Sequence, residues 1–280
     1  MSNYKYFLTC CLMIKNEGKY IEEWMDHYIS EGVEHFYIID NGSTDNTLEL
    51  LKKYDDLITL FKDTRLYPNL QTTMLNDNFW PLVKESEWTM IVDADELIVG
   101  KYGKSIRQHL KEMAKNVSSV YVIWTMFYGK EESVDRMKDI KTRFNYDYLH
   151  ELGMNSKYFL MFGKSIFRPD RLKIDRLHIH QQVIRDTIID NFNRIHKSFP
   201  DTICQRCNHI NEETLSKTPI QLNHYFIKTR IEYEDRMKSD IYDTIKNPRV
   251  GERYVPSGWD YLAFLKEVYN LGEKYVIKED

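Results

Sequence analysis

The 280-residue chain contains no apolar run approaching the roughly 18 residues needed to cross a membrane. Its N-terminus carries no charged-then-apolar leader, so a cytoplasmic protein is expected, with peripheral membrane contact left open. Basic excess is also missing. The 39 Lys and Arg stand against 43 Asp and Glu, a formal charge of −4, which argues against general nucleic-acid binding. Cysteine is scarce, at four residues. Cys10 and Cys11 are adjacent in an apolar stretch, where small buried thiols are expected. Cys204-Gln205-Arg206-Cys207, with His209 nearby, offers only half of a zinc ligand set. The pattern predicts reduced thiols rather than a disulfide framework. There is no internal repeat and no low-complexity linker, and at 42% apolar the chain can bury one substantial core.

What is present is an alternation of strand and helix signals. Leu8 to Ile14 is an apolar run that stops at Lys15-Asn16-Glu17-Gly18. Tyr20, Ile21, Trp24, Met25, Tyr28 and Ile29 then recur at helical spacing, closed by Gly32 as a C-cap. Val33 to Ile39 reads as a second strand, ending in Asp40-Asn41-Gly42-Ser43-Thr44-Asp45. Ser43, Thr44 or Asp45 can cap the next helix, which carries Leu48, Leu51 and Tyr54. Leu57 to Phe61 is a third strand, Gln71 to Trp80 a helix, and Trp88 to Val92 a fourth strand. This order predicts an α/β fold built on a parallel sheet with right-handed crossovers.

The fourth strand delivers Asp93-Ala94-Asp95-Glu96. An extended backbone with a side-chain period of two would set both Asp carboxylates on one side. Paired hard oxygen donors suit Mg²⁺ or Mn²⁺ better than Zn²⁺, and ligands of α/β proteins bind at the carboxyl ends of strands. A metal-bound diphosphate is the simplest reading. Asp40, with a glycine two residues on and a helix N-terminus behind it, can serve a nucleoside and its anionic groups. An EF-hand is excluded, since Gly42 falls too early and Leu51 stands where a Glu is needed. The Gly-x-Gly-x-x-Gly of a dinucleotide site is absent after the first strand, which removes hydride chemistry.

Lys15-Asn16-Glu17, Glu22-Glu23-Trp24, Gly32-Val33-Glu34-His35-Phe36-Tyr37, Asp40-Asn41-Gly42-Ser43-Thr44-Asp45 and Asp93-Ala94-Asp95-Glu96 resemble the family-2-like glycosyltransferases of GT-A fold, above all the branch that includes family 92. The resemblance continues through Gly163-Lys164-Ser165-Ile166-Phe167-Arg168-Pro169 and Leu222-Asn223-His224-Tyr225-Phe226-Ile227-Lys228-Thr229, and spans roughly residues 5 to 235. It implies a Rossmann-like, mostly parallel central sheet flanked by helices in a single domain over 1–280. Residues 1–100 would form the nucleotide-sugar half, 101–235 the acceptor and catalytic half, and 236–280 a C-terminal helical extension.

Carried onto this chain, the resemblance places Lys15, Asn16, Glu17 and Asn41 beside the nucleotide and makes Asp40 the acid that reads base or ribose. Gln71 and Asn76 would lie near the sugar-nucleotide. Asp93 would sit near ribose and metal, with Asp95 the direct metal ligand. A His from the second half often completes such a site, and His178, in an expected Leu177-to-His180 strand, and His224 are the candidates. Lys164 and Arg168 would compensate the diphosphate charge, Arg bidentately. The branch often has Glu-Arg-Phe before the Lys-Ser-Ile block, but here Thr142-Arg143-Phe144 stands. An inverting transfer would need a carboxylate base, for which Glu131, Glu132, Asp147 and Glu151 are the nearby acids and Glu151 the preferred one.

Tyr121 to Gly129 reads as a strand ending in aromatics, which suit sugar faces, although core packing is the expected role of Trp124. Ile227 to Met237 predicts a surface helix, Arg249 to Trp259 a loop, and Tyr261 to Tyr269 a final amphipathic helix. The expected function is metal-dependent transfer of a sugar from a nucleotide-diphosphate donor, a UDP-sugar, to a carbohydrate or glycolipid acceptor. Surface polysaccharide or lipopolysaccharide assembly would be the setting, by analogy alone. Two alternatives stand beside it: a metal-dependent nucleotidyltransferase, and a sugar-nucleotide- or glycan-binding protein that has lost its base.

Overall fold

The computed structural model describes residues 4–65, 70–148, 151, 162–185, 187–190, 195–196, 210–238 and 269–279. The first half runs β1 (Tyr6–Ile14), α1 (Ile21–Ser30), β2 (His35–Asp40), α2 (Thr47–Leu51), β3 (Ile58–Lys62), α3 (Leu70–Val83) and β4 (Ser86–Ile91). Strands β3, β2, β1 and β4 lie side by side in that order, every pair parallel, with Ile14 opposite Asp40 and Cys11 opposite Ile91. The carboxyl ends of β1, β2 and β4 therefore share one edge of the sheet.

Alternation along β1 explains its near-continuous apolar run. Leu8, Cys10, Leu12 and Ile14 face one side and pack with Trp24, Met25 and Tyr28 of α1. Cys11 faces the other side with Tyr37, Ile39 and Met74, Leu75 and Phe79 of α3. A strand buried on both faces reads as a near-continuous apolar run, and the one buried hydroxyl in it, on Thr9, is met by those of Ser86 and Thr89 (2.8 Å each). Helix α1 ends at Glu31, and Gly32 follows with φ of 91°, the left-handed residue that closes many helices. At α2 none of the expected caps is used: the N-cap is Asn46, with no side-chain capping bond, and Asp45 just before it accepts from the Thr47 N–H (3.0 Å), while Ser43 and Thr44 bond Asn16. Helix α3 is longer than expected and runs through Pro81.

The second half contributes β5 (Glu96–Gly100), α4 (Ile106–Glu112), β6 (Val117–Tyr128), β7 (Thr142–Phe144), β8 (Gly163–Phe167), β9 (Thr187–Asp190), β10 (Ile195–His196), α5 (Glu212–Ser216), β11 (Ile220–Ile227), α6 (Arg230–Lys238) and β12 (Val276–Lys278). Parallel order gives way here. Strand β8 inserts antiparallel between β4 and β6, with Val122 opposite Lys164, and β9 lies parallel to β6 on its far side. Beyond Ile123, β6 leaves this sheet and pairs with β11 and β7 in a smaller one, where β11 is also antiparallel to β5. Trp124 stands at the changeover.

Two expectations are corrected. The first strand-end carboxylates are not on an extended backbone: β4 stops at Ile91, and Asp93 to Glu96 form a turn closed by the Glu96 N–H donating to the Asp93 carbonyl (3.1 Å). Leu177 to His180 is not a strand. The Asn76 amide grips the Leu177 carbonyl (3.0 Å) and N–H (2.7 Å), and Gln182 bonds the His178 backbone, so side chains satisfy groups a sheet would have paired. Helix α6 starts at Arg230, later than expected, with Thr229 Oγ1 accepting from the Glu232 N–H (3.0 Å). The expected 249–259 loop, nearly all of the 261–269 helix, and Cys204, Cys207 and His209 lie outside the described residues. Among the described residues, no helix is long and apolar enough to cross a membrane.

Candidate active site

The acidic turn is held from beneath. Trp24 Nε1 of α1 donates to the Asp93 carbonyl (3.1 Å), and the Tyr28 hydroxyl donates to the Glu96 carbonyl (3.0 Å). From β11, the Tyr225 N–H donates to the Asp95 carbonyl (2.8 Å). Inside the turn, Glu96 is fully buried; its Oε2 accepts from the Asp93 N–H (2.8 Å) and its Oε1 from the Trp124 indole (2.6 Å). Lys164, equally buried on β8, places its ammonium 2.8 Å from Asp93 Oδ2 and 3.5 Å from Glu96 Oε2. Burial pushes the Glu96 carboxyl up to about 7 against the pull of Lys164. Burial alone would lower Lys164, but Asp93 and Glu96 outweigh it and the net shift is upward.

The exposed rim of the turn presents Asp93 and Asp95. Gln71 Nε2 of α3 donates to Asp93 Oδ1 (3.2 Å). His224 of β11 brings Nε2 to 3.6 Å from Asp95 Oδ1, and its Nδ1 is buried without a hydrogen-bond partner. Its ring lies on Trp124, centroids 4.5 Å apart, and Phe162 and His180 extend this aromatic wall. His180 is held neutral: burial, with Lys164 adding, brings it down to about 4.

Two strands away, Asp40 is 1% exposed at the end of β2. Its Oδ1 accepts from the Ser43 N–H (2.9 Å), but its Oδ2 is buried without any partner. A buried carboxylate oxygen left unpaired is costly, and a ligand donor would relieve it. Asn16, at φ 58°, accepts from the Thr44 N–H (2.7 Å) and so ties the loop after β1 to the loop after β2.

A family model described as "Glycosyltransferase family 92" matches residues 5–241. The chain belongs to glycosyltransferase family 92. A family 92 protein of Ricinus communis is 23% identical over 128 residues, which cover 40% of this chain and 21% of that protein. One of Oryza sativa subsp. japonica is 30% identical over 94 residues, 32% of this chain and 16% of that protein. The chain thus spans about a fifth or less of the curated relatives it matches. Among solved structures, S. aureus TarS 1–349 in complex with UDP is 19% identical, with 60% of this chain and 48% of that one covered and a TM-score of 0.38. Glucosyl-3-phosphoglycerate synthase from Mycobacterium tuberculosis, in complex with Mn²⁺, UDP and glucosyl-3-phosphoglycerate, is 11% identical, with 60% and 58% covered and a TM-score of 0.29. The observed architecture, a central sheet flanked by helices, is the α/β class expected from the sequence.

Within this family 92 chain, the structure gathers Gln71, Asp93, Asp95, Lys164 and His224 in one cluster. Asp40, Asn41 and Asn16 line the adjoining edge, where Asn41 Nδ2 donates to the Asp63 carbonyl (2.7 Å). Lys15 is exposed there, and the Glu17 carbonyl accepts from Tyr20 and Ile21 to start α1. Other expected residues are engaged elsewhere. Asn76 spends its amide on Leu177, and Arg168 sits at the opposite end of β4, donating to Glu87 (2.6 Å) and covering Trp88. His178 keeps Nε2 buried without a partner on the loop beside α3. Glu151 pairs with Lys274 (2.5 Å), Glu132 with Arg230 (3.6 Å), and Asp147 accepts from the Glu212 N–H (3.0 Å).

Among the described residues, no three His, Cys, Asp or Glu side chains gather to hold a metal by themselves. Asp95 and His224 fit a Mg²⁺ or Mn²⁺ only if donor phosphates and water complete its shell, which is how Mg²⁺ is usually held. Sequence reading passed over Glu96. The signal was an acid opening the apolar Leu97-Ile98-Val99, where a buried charge demands partners.

Proposed function

We propose that the protein transfers a sugar from a nucleoside diphosphate donor, a UDP-sugar, to a carbohydrate or glycolipid acceptor, with Mn²⁺ or Mg²⁺ bound at Asp95 and His224. One juxtaposition carries this reading. The unpartnered Asp40 Oδ2 and the Asp93–Asp95 turn stand at the same sheet edge with only β1 between them, about 10 Å apart at normal strand spacing. An extended nucleoside diphosphate spans such a gap, its nucleoside at Asp40 and its diphosphate at the turn. The choice of uracil rests on the family resemblance, as does an acceptor in surface polysaccharide assembly.

When bound, the cation supplies Lewis-acid stabilisation of the departing diphosphate. The chain's own residues do the rest. Asp40 accepts from the nucleoside, while Gln71 and Lys164 hold Asp93 in place. Trp124, His180 and Phe162 offer an aromatic wall against which the apolar face of a sugar ring can rest. Glu151 is the proposed acceptor base, a role that requires it to leave its pairing with Lys274, so Glu151→Gln should abolish transfer while donor binding persists.

The test is product analysis of the purified protein with Mn²⁺, UDP-glucose, UDP-galactose or UDP-N-acetylglucosamine, and a panel of sugar acceptors. Release of UDP and a new glycoside from one donor is expected. Pyrophosphate release from a nucleoside triphosphate would instead make the protein a nucleotidyltransferase. Donor binding with no turnover on any acceptor would instead make it a sugar-nucleotide-binding protein without a base, a reading favoured by the engagement of Glu132, Asp147 and Glu151 in other contacts.

A further inference from the structure

Lys164 looks from the sequence like a diphosphate contact, yet its side chain has no exposed surface. Between it and the open rim stands Asp93, whose side chain is 35% exposed. Asp93 is gripped from three directions. Its Oδ2 meets Lys164 (2.8 Å), its Oδ1 accepts from Gln71 (3.2 Å), and its N–H donates to Glu96 (2.8 Å). Glu96 in turn faces Lys164 at 3.5 Å and receives the Trp124 indole. Three acids crowd this four-residue turn, and Lys164 is the ammonium built into the fold among them. A carboxylate paired at one oxygen with a buried cation and at the other with an amide has little rotational freedom left.

We propose that Lys164 is a positioning residue that acts on the donor only through Asp93. With Glu96 it forms a buried pair that fixes the main chain and the carboxylate of Asp93 together, and it makes no contact with the diphosphate. This rests on the reading of the site as a nucleoside diphosphate site, and adds to it which residue aims the first acid of the turn.

A double-mutant cycle separates direct from indirect action. UDP binding in the presence of Mn²⁺ would be measured by ligand-observed NMR titration, which reaches millimolar dissociation constants. The proteins are wild type, Lys164→Met, Asp93→Asn and the double variant. Lys164→Met is expected to weaken UDP binding tenfold or more in the wild-type background and less than twofold in the Asp93→Asn background. Its loss should also not exceed that of Asp93→Asn alone. Equal losses in both backgrounds would mean that Lys164 touches the diphosphate itself and would overturn the proposal, as would a loss below twofold in the wild-type background. Thermal melts accompany each titration. Should Lys164→Met fail to fold, Glu96→Gln/Lys164→Met removes both charges of the pair, and the same cycle is run with it. Failure of wild type to bind UDP, GDP or CDP would instead sink the nucleotide reading.

Discussion

Asp40 shows how a single residue divides its work. One oxygen caps the Ser43 N–H and shapes the turn after β2, while the other is buried with nothing to accept from. Asp40→Asn keeps the first bond and removes the charge from the second oxygen. Hydrogen bonds to charged groups contribute about 1.5–3 kcal/mol, so this change should weaken nucleotide binding at least tenfold, with the melting temperature nearly unmoved. Calorimetry beside a thermal melt checks both halves. A binding constant equal to wild type would place the nucleoside elsewhere.

At the scale of elements, the site depends on how α1 and β8 meet the turn. Gly163 opens β8, and a Cβ there would stand 2.0 Å from the Val122 carbonyl oxygen on β6. Gly163→Ala must therefore push β8 away from β6 and carry Lys164 with it. Destabilisation of about 1–3 kcal/mol is expected in urea unfolding, with weakened UDP binding; a variant as stable as wild type would contradict the close approach.

Helix α1 contributes His27, whose Nε2 bonds the Ile98 carbonyl (2.7 Å). Burial, with Lys138 adding, lowers it from 6.5 to about 4. Between those values the unfolded chain binds a proton that the folded one refuses. Stability present above pH 6.5 is thus lost as pH falls towards 4, by about 3 kcal/mol from this group. His27→Gln should flatten the decline in melting temperature between pH 7 and 5, and an unchanged slope would assign the acid sensitivity to other groups.

Elements of the first half were legible because both faces of β1, β2 and β4 are buried, which writes strands as solid apolar runs. Their ends were legible too, since Asp40 and Asp93 interrupt those runs abruptly. The turn geometry of Asp93 to Glu96 was not, because it depends on Trp24 and Tyr28 of α1 and Tyr225 of β11, two elements distant in the chain. Leu177 to His180 misled for a related reason: its alternation matches a strand, but Asn76, a hundred residues earlier in the chain, satisfies its backbone. Glu96 and Lys164 each read as an isolated charge in an apolar segment, and only the insertion of β8 beside β4 shows that they are partners.

Across the whole molecule, the chain's last described strand closes the fold. Strand β12 pairs with β7, and the half-buried end of that ladder is tied by Arg143, which donates to both oxygens of Glu212 (2.9 and 2.7 Å) and to Glu279 (2.5 Å). Arg143 is 7% exposed, so its removal strands Glu212 in a poorly solvated place. Arg143→Met should destabilise the protein by about 3 kcal/mol, whereas Glu279→Gln, at a more exposed partner, should cost less than about 1 kcal/mol. Urea unfolding of both variants tests the ranking, and equal effects would contradict it.

The central claim is a metal-assisted nucleotide site at the carboxyl edge of the sheet. Calorimetric titration of UDP, GDP and CDP, with and without Mn²⁺, into wild type and Asp95→Asn addresses it most directly. UDP is expected to bind only with the metal, and Asp95→Asn to lower the affinity tenfold or more. Binding that ignores both Mn²⁺ and Asp95, or no binding of any nucleotide, would contradict it.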